Sequence, residues 1–269
     1  MPTGVSGYFT SISAIQSAIT QMRARGFTWI RISGTPPYLS QGNHAIKFDV
    51  IDYLLDNTDF IIVIDPIHLY PPTEASASQM RANLQSVKNR LVEIALRYQD
   101  NPRVYIELMN EYVSPDFNTV AQDLLNTVRA VCTNYIVVDK WETNWYKLQD
   151  PLGKTIQGMH FYFNSWSVSG CITQMQQAIS KGIKLIMNTE DGADSSEGSA
   201  FSQGEVDEVS QFLAQCKTLE VNGVKIWNAL WQNENMANIP YYDKFNLVVP
   251  QEGPITITGT SRIIINGGQ

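Results

Sequence analysis

Apolar and polar positions along the chain follow two rhythms. Short β-branched or aromatic runs occur at GVSGYF (4–9), FTWIRIS (27–33), FIIVIDP (60–66), VYIELMN (104–110), YIVVDK (135–140), IQGMHFY (156–162), IKLIMNT (183–189) and VKIWNALW (224–231). Runs this short and this apolar predict eight buried strands. Between most of them, apolar residues recur at i, i+3 and i+4, as in ISAIQSAITQMRARG, NLQSVKNRLVEIALRYQ and EVDEVSQFLAQCKTL. That spacing predicts helices with one buried face. Gly26 and Gly182 stand where two helical stretches should stop in a left-handed residue.

Strands alternating with helices imply parallel pairing through crossovers, and eight such units close a barrel. A doubly wound open sheet would carry a glycine-rich phosphate turn after its first strand, and the sequence has none there. The expected fold class is therefore α/β, a (β/α)8 TIM barrel, with residues 1–269 as a single domain and the barrel over about 4–235. Two stretches fit less well. KWETNWYKLQDPLGK, between the fifth and sixth strands, has room only for a stunted helix. After Trp231 the text YYDKFNLVVPQEGPITITGTSRIIING reads as strands and turns, so an eighth helix that is missing or replaced and a β-rich tail over about 240–269 are expected.

Composition narrows the partners. A length of 269 residues suits one barrel, and 43% hydrophobic residues supply a sizeable core. The net charge of −7 argues against nucleic acid and against anionic membranes, both of which need a basic field. No apolar run reaches the roughly 18 residues of a membrane helix. The opening MPTGVSGYF lacks the basic and apolar regions of a signal peptide, so the reading is a soluble monomer, intracellular or a mature form. Cys132, Cys171 and Cys216 are far apart and odd in number, which points to buried thiols rather than a zinc site or a disulfide framework.

A barrel carries its active site at the carboxyl ends of its strands. Those ends hold Arg31, His68, Asn110, Glu111, His160, Tyr162, Glu190 and Trp231, whereas the third histidine, His44, sits in a loop. A strand that runs into a glutamate should just have left the core, so Glu111 is expected at the barrel mouth. Two glutamates on separate strands suit glycoside hydrolysis, in which one acid protonates the leaving oxygen and the other attacks the anomeric carbon, with carboxyls about 5–5.5 Å apart.

Plainer roles compete at each position. Glu190 in NTEDG also reads as turn and cap chemistry. Arg31 could pair with Glu107, which shares the parity of Glu111 and points into the barrel. His160 could be a packed histidine, and Trp231 could be core. Tyr38, Trp141, Trp145 and Trp166 either extend a sugar cleft or simply pack. Asp191 and Asp194 lack the further oxygens of a calcium loop, and no His-x-His pair follows the first strand, so no metal and no cofactor are expected.

IELMNEY resembles the strand-four acid/base motif of glycoside hydrolase family 5, the cellulase and mannanase family of clan A, and LIMNTEDG is similar to its strand-seven nucleophile motif. Arg31 in WIRIS, His160 and Tyr162 in MHFYF and Trp231 in IWNALW follow in the family's order, over residues of about 4 to 235. Two departures stand out: Tyr112 occupies the usual proline position after the acid/base, and DPIH sets His68 one residue further from its aspartate.

The resemblance implies a retaining endo-β-1,4-glucanase acting by double displacement. Glu111 would be the acid/base and Glu190 the nucleophile, with Asn110 the donor to the sugar 2-hydroxyl. Arg31 and Tyr162 would hold Glu190, His160 and His68 would line the subsite, and Trp231 would be the sugar platform. A β-mannanase, an exo-acting β-glycosidase and a non-catalytic carbohydrate-binding barrel are the alternatives. In each case the partner is an oligo- or polysaccharide, and a polymeric substrate would favour an extracellular site of action.

Overall fold

A computed structural model describes residues 1, 3–9, 11–24, 26–36, 45–139, 148–162, 166–192, 203–220 and 223–231. The elements alternate as the sequence pattern predicts: β1 (Thr3–Gly7), α1 (Ile12–Ala24), β2 (Trp29–Ser33), α2 (Phe48–Asn57), β3 (Ile61–Asp65), α3 (Glu74–Ala82), α4 (Leu84–Arg97), β4 (Val104–Glu107), α5 (Phe117–Arg129), β5 (Tyr135–Asp139), β6 (Thr155–Tyr162), α6 (Val168–Ser180), β7 (Leu185–Gly192), α7 (Gln203–Leu219) and β8 (Lys225–Trp231). Each strand pairs in parallel with the next, and β8 pairs with β1, so the sheet closes into an eight-stranded barrel. The stretch after Trp231, with the expected tail and the question of an eighth helix, lies outside the described residues, as do 140–147 of the segment between β5 and β6.

Local chemistry accounts for the helices. In α5, Phe117, Val120, Ala121, Leu124, Leu125 and Val128 repeat at three and four residues and are all buried, so one apolar stripe docks on the barrel. The Thr73 hydroxyl accepts from Ser76 N at the start of α3, and the Ser167 hydroxyl accepts from Gly170 N at the start of α6. Gly26 and Gly182 take φ of 71° and 82°, the left-handed stops their positions suggested. Cys132, Cys171 and Cys216 are buried free thiols. Among the described residues no helix is long and apolar enough to cross a membrane.

Two packed layers result. The larger joins the outward strand faces to the helices; Phe161 of β6, for example, meets Phe212 of α7 edge to face at 5.6 Å. The smaller is Trp29, Val63, Tyr105, Val137, Ile156, Met187 and Trp227, one residue from each of seven strands, which together fill the barrel interior.

Candidate active site

Successive inward positions on a strand are two residues apart, and here a single such step changes the chemistry. Above Trp29, Val63, Tyr105 and Val137 the same faces present Arg31, Asp65, Glu107 and Asp139, every one fully buried. Arg31 Nε and Nη2 donate to the two oxygens of Glu107, each at 2.7 Å, a forked pairing. Its Nη1 reaches Glu190 Oε1 at 2.6 Å and Ser6 Oγ at 3.1 Å, and Nη2 also reaches Asn110 Oδ1 at 2.7 Å and Asp65 Oδ2 at 3.0 Å. Arg31 therefore pairs with Glu107 and Glu190 at once. A buried guanidinium needs such a full set of acceptors, because an unpaired charge there would be strongly destabilising.

Strand parity alone would send Glu190 the other way, since Leu185 and Met187 of β7 belong to the interior layer. The register with β6 slips at this point: Asn188 lies opposite Met159 but Glu190 lies opposite His160, leaving Thr189 as one extra residue. This bulge turns Glu190 inward. Its Oε1 then meets Arg31, while Tyr162 donates its hydroxyl to Oε2 at 2.5 Å.

Strand β4 ends at Glu107, so Asn110 and Glu111 stand on an irregular connection beyond it, not at the end of the strand as its apolar run suggested. Glu111 is also not at an open mouth, for only 6% of it is exposed. It takes a left-handed φ of 45°, and its N–H donates to Asp139 Oδ2 at 3.0 Å. Its Oε1 bonds His160 Nδ1 at 2.6 Å. His160 Nδ1 also lies 3.5 Å from Glu190 Oε2, and Nε2 lies 3.4 Å from Asp139 Oδ2. One ligand atom each from Glu111, His160 and Glu190 falls within a mutual 4.8 Å.

His68 bonds Asp65 Oδ2 through Nδ1 at 2.8 Å and meets Tyr8 edge to face at 5.2 Å, so the extra residue in DPIH still allows the pairing. Trp231 ends β8 opposite Ser6, and its side chain, like that of Asp191, lies outside the described residues. Tyr38, His44, Trp141, Trp145 and Asp194 are outside them as well. Trp166 packs edge-on against Phe161 at 6.2 Å in the helix-facing layer, which removes it from the cleft aromatics.

The two glutamates titrate in opposite directions. Burial pushes the Glu111 carboxyl up, and the charges of Glu190 and Asp139 push the same way against His160. Burial acts upward on Glu190 too, but His160, Arg31 and His68 together with the Tyr162 hydroxyl outweigh it and hold the carboxyl below its ordinary range. Burial disfavours charge on His160, yet Asp139, Glu190 and Glu111 raise its pKa to about 10. Arg31 and the His68 ring likewise keep Asp65 low against the upward effect of burial. His160 therefore bridges the two glutamates, an arrangement that can hold and pass protons.

Asp65 and Asp139 belong to this network and were not selected from the sequence. Their signal was available: FIIVID and YIVVD both end a β-branched run on an acid of inward parity, as β4 does at Glu107.

The family model described as Cellulase (glycosyl hydrolase family 5) matches residues 1–236. No curated protein sequence matches the chain. Among solved structures, a tri-modular family 5 (subfamily 4) endo-β-1,4-glucanase from Bacillus licheniformis complexed with cellotetraose superposes with a TM-score of 0.63 at 15% identity, over 87% of this chain. This chain spans 54% of that longer protein. Thermotoga maritima Cel5A complexed with cellobiose gives 0.62 at 14% identity, covering 86% of this chain and 89% of the other. The same protein complexed with mannotriose gives 0.61 at 15% identity, with the same coverage. These likenesses establish the (β/α)8 fold.

Proposed function

The chain belongs to glycosyl hydrolase family 5 and is a glycoside hydrolase, and from that premise we propose that it cleaves β-1,4-linked glucans with retention, using Glu190 as nucleophile and Glu111 as acid/base. The observation that carries this reading is a pair of carboxyls within 4.8 Å of each other that their neighbours push in opposite directions. The retaining geometry needs about that separation, and an acid/nucleophile pair needs split proton affinities.

In the first step Glu190 attacks the anomeric carbon as the bond to the leaving oxygen breaks, and Glu111 gives its proton to that oxygen. In the second, Glu111 takes a proton from water, the water oxygen bonds to the anomeric carbon, and Glu190 departs as a carboxylate. Arg31 and Tyr162 hold Glu190 ionised and aimed. Asn110 gives its oxygen to Arg31, while its buried Nδ2 has no partner among the described residues, which suits a donor to the sugar 2-hydroxyl. His160 spans both glutamates, His68 lines the subsite beside Asp65, and Trp231 serves as the platform. Residues 1–269 form one catalytic unit whose barrel runs over about 4–235.

The test is hydrolysis of an aryl β-cellobioside. Glu190→Ala and Glu111→Ala should each lose on the order of 10³-fold or more in kcat. Azide should then rescue the first with an inverted glycosyl azide and the second with a retained one. Turnover unaffected by Glu190→Ala would sink the nucleophile assignment. The mannotriose complex of a similar structure favours β-mannan as the second substrate class, and paired soluble glucan and mannan assays separate the two.

A further inference from the structure

Asp139 is fully buried at the carboxyl end of β5 and has no place in the two-glutamate mechanism. Its Oδ2 faces two things at once: the N–H of Glu111 at 3.0 Å and Nε2 of His160 at 3.4 Å. The first contact lies at a residue of left-handed φ, 45°, a conformation that a non-glycine residue holds only under an outside restraint. The second decides the protonation of the ring. His160 Nδ1 is committed to Glu111 at 2.6 Å, and Nε2 is buried with no hydrogen bond among the described residues. Without a proton, Nε2 would aim a lone pair at a carboxylate in a dry site. With a proton there and a second on Nδ1, donated to Glu111, the ring is an imidazolium flanked by acids.

We propose that Asp139 is a positioning residue that sets Glu111 from two sides, fixing its backbone through the N–H and keeping the His160 ring cationic between Glu111 and Glu190.

The groups around the ring bear this out element by element. Asp139 comes from β5, Glu111 from the connection after β4, and Glu190 with its partner Tyr162 from β7 and β6. Arg31 of β2 and His68 beyond β3 act on Glu190 from the far side. The three acids outweigh burial at the ring. The fold also leaves room for the aspartate: Gly158 lies opposite Asp139 in the β5–β6 pairing, and a Cβ there would sit 2.9 Å from Asp139 Cα.

The consequence for catalysis rests on the roles assigned above. A fixed cation beside both glutamates favours ionised Glu190 in the first step. In the second it stabilises the carboxylate of Glu111 that must take a proton from water. The negative charge of Asp139 offsets that cation at Glu111, so the acid can still hold its proton at the outset.

Asp139→Asn tests this, because the amide keeps an oxygen for the Glu111 N–H and removes only the charge. In the wild-type protein, nitrogen-detected NMR of His160 should show both ring N–H groups through pH 8. In Asp139→Asn the ring should lose its proton at least about one pH unit lower. The ring is charged in both proteins at the pH where Glu190 titrates, so the acidic limb of kcat/KM should stay in place, while the alkaline limb should move downward because Glu111 loses the negative charge that helped to raise it. A ring neutral at pH 7 in the wild type, or one that titrates alike in both proteins, overturns the proposal. The wild-type measurement alone suffices for that if the variant does not fold. The titration is independent of turnover, so an active enzyme with a neutral ring refutes this inference only, whereas a charged ring without turnover refutes the functional reading only.

Discussion

Glu111 and Glu190 are the same kind of side chain, nearly equally buried, and their neighbours alone decide which of them keeps a proton. Tyr162 is the simplest place to measure that decision, because it adds one hydroxyl donated to Glu190 Oε2 at 2.5 Å and no charge. A donor to the ionised form lowers a carboxyl's pKa, so its removal raises it. Tyr162→Phe should therefore shift the acidic limb of the pH profile upward and lower kcat/KM roughly 10- to 100-fold near neutrality, the effect of one hydrogen bond to a charged group of about 1.5–3 kcal/mol. The Arg31 contact on the other oxygen should keep Glu190 in place, so the variant stays folded and cleaves the same bond. A drop in rate without any movement of the acidic limb would count against Tyr162 acting on the protonation of Glu190.

The strands set which side chains can meet, and the seam between β5 and β6 is the tightest place near the site. An alanine at Gly158 would bring Cβ to 2.9 Å from Asp139 Cα and 3.0 Å from its Cβ, so strand backbone rather than a flexible side chain has to move. Overpacking of this kind costs about 1–3 kcal/mol, a loss of several degrees in Tm for a chain of this size. Because the displaced residue is Asp139, Gly158→Ala should also move the alkaline limb in the direction expected for Asp139→Asn. Gly4→Ala supplies the contrast. Its Cβ would meet the Trp29 ring at 2.4 Å in the apolar layer beneath the site, so Tm should fall while both limbs stay where they are. The sequence pattern exposed the eight strands and the order of their polar ends, because period-two burial and helical spacing are local properties. It did not expose the extra Thr189 that turns Glu190 inward, nor the stop of β4 at Glu107. Both depend on the register of one strand against its neighbour. Barrel closure also brings the acids that end β3 and β5 against Arg31 and Glu111, so two acids visible in the sequence joined the network only through tertiary contacts.

At the scale of the whole molecule, a site that concentrates buried ionisable groups makes folding itself depend on pH. Asp65 and Glu190 are held below their ordinary values, so the stability they add is present above about pH 4 and fades as pH falls through their folded pKa. His160 behaves in the opposite way. Its pKa of about 10 in the fold, against about 6.5 in an unfolded chain, means that its contribution is complete below pH 6.5 and disappears as pH rises towards 10. Stability should thus peak on the acid side of neutrality and fall by a few kcal/mol between about pH 6.5 and 10, because a shift of several pKa units on a buried ring is worth that much. Urea unfolding of the wild type across this range measures the slope. His160→Gln should flatten the alkaline part, having no proton to lose, even if the variant is less stable at every pH. A wild type as stable at pH 9.5 as at pH 6 would mean that the ring is not charged in the fold. The arrangement of acids around it would then need a different explanation.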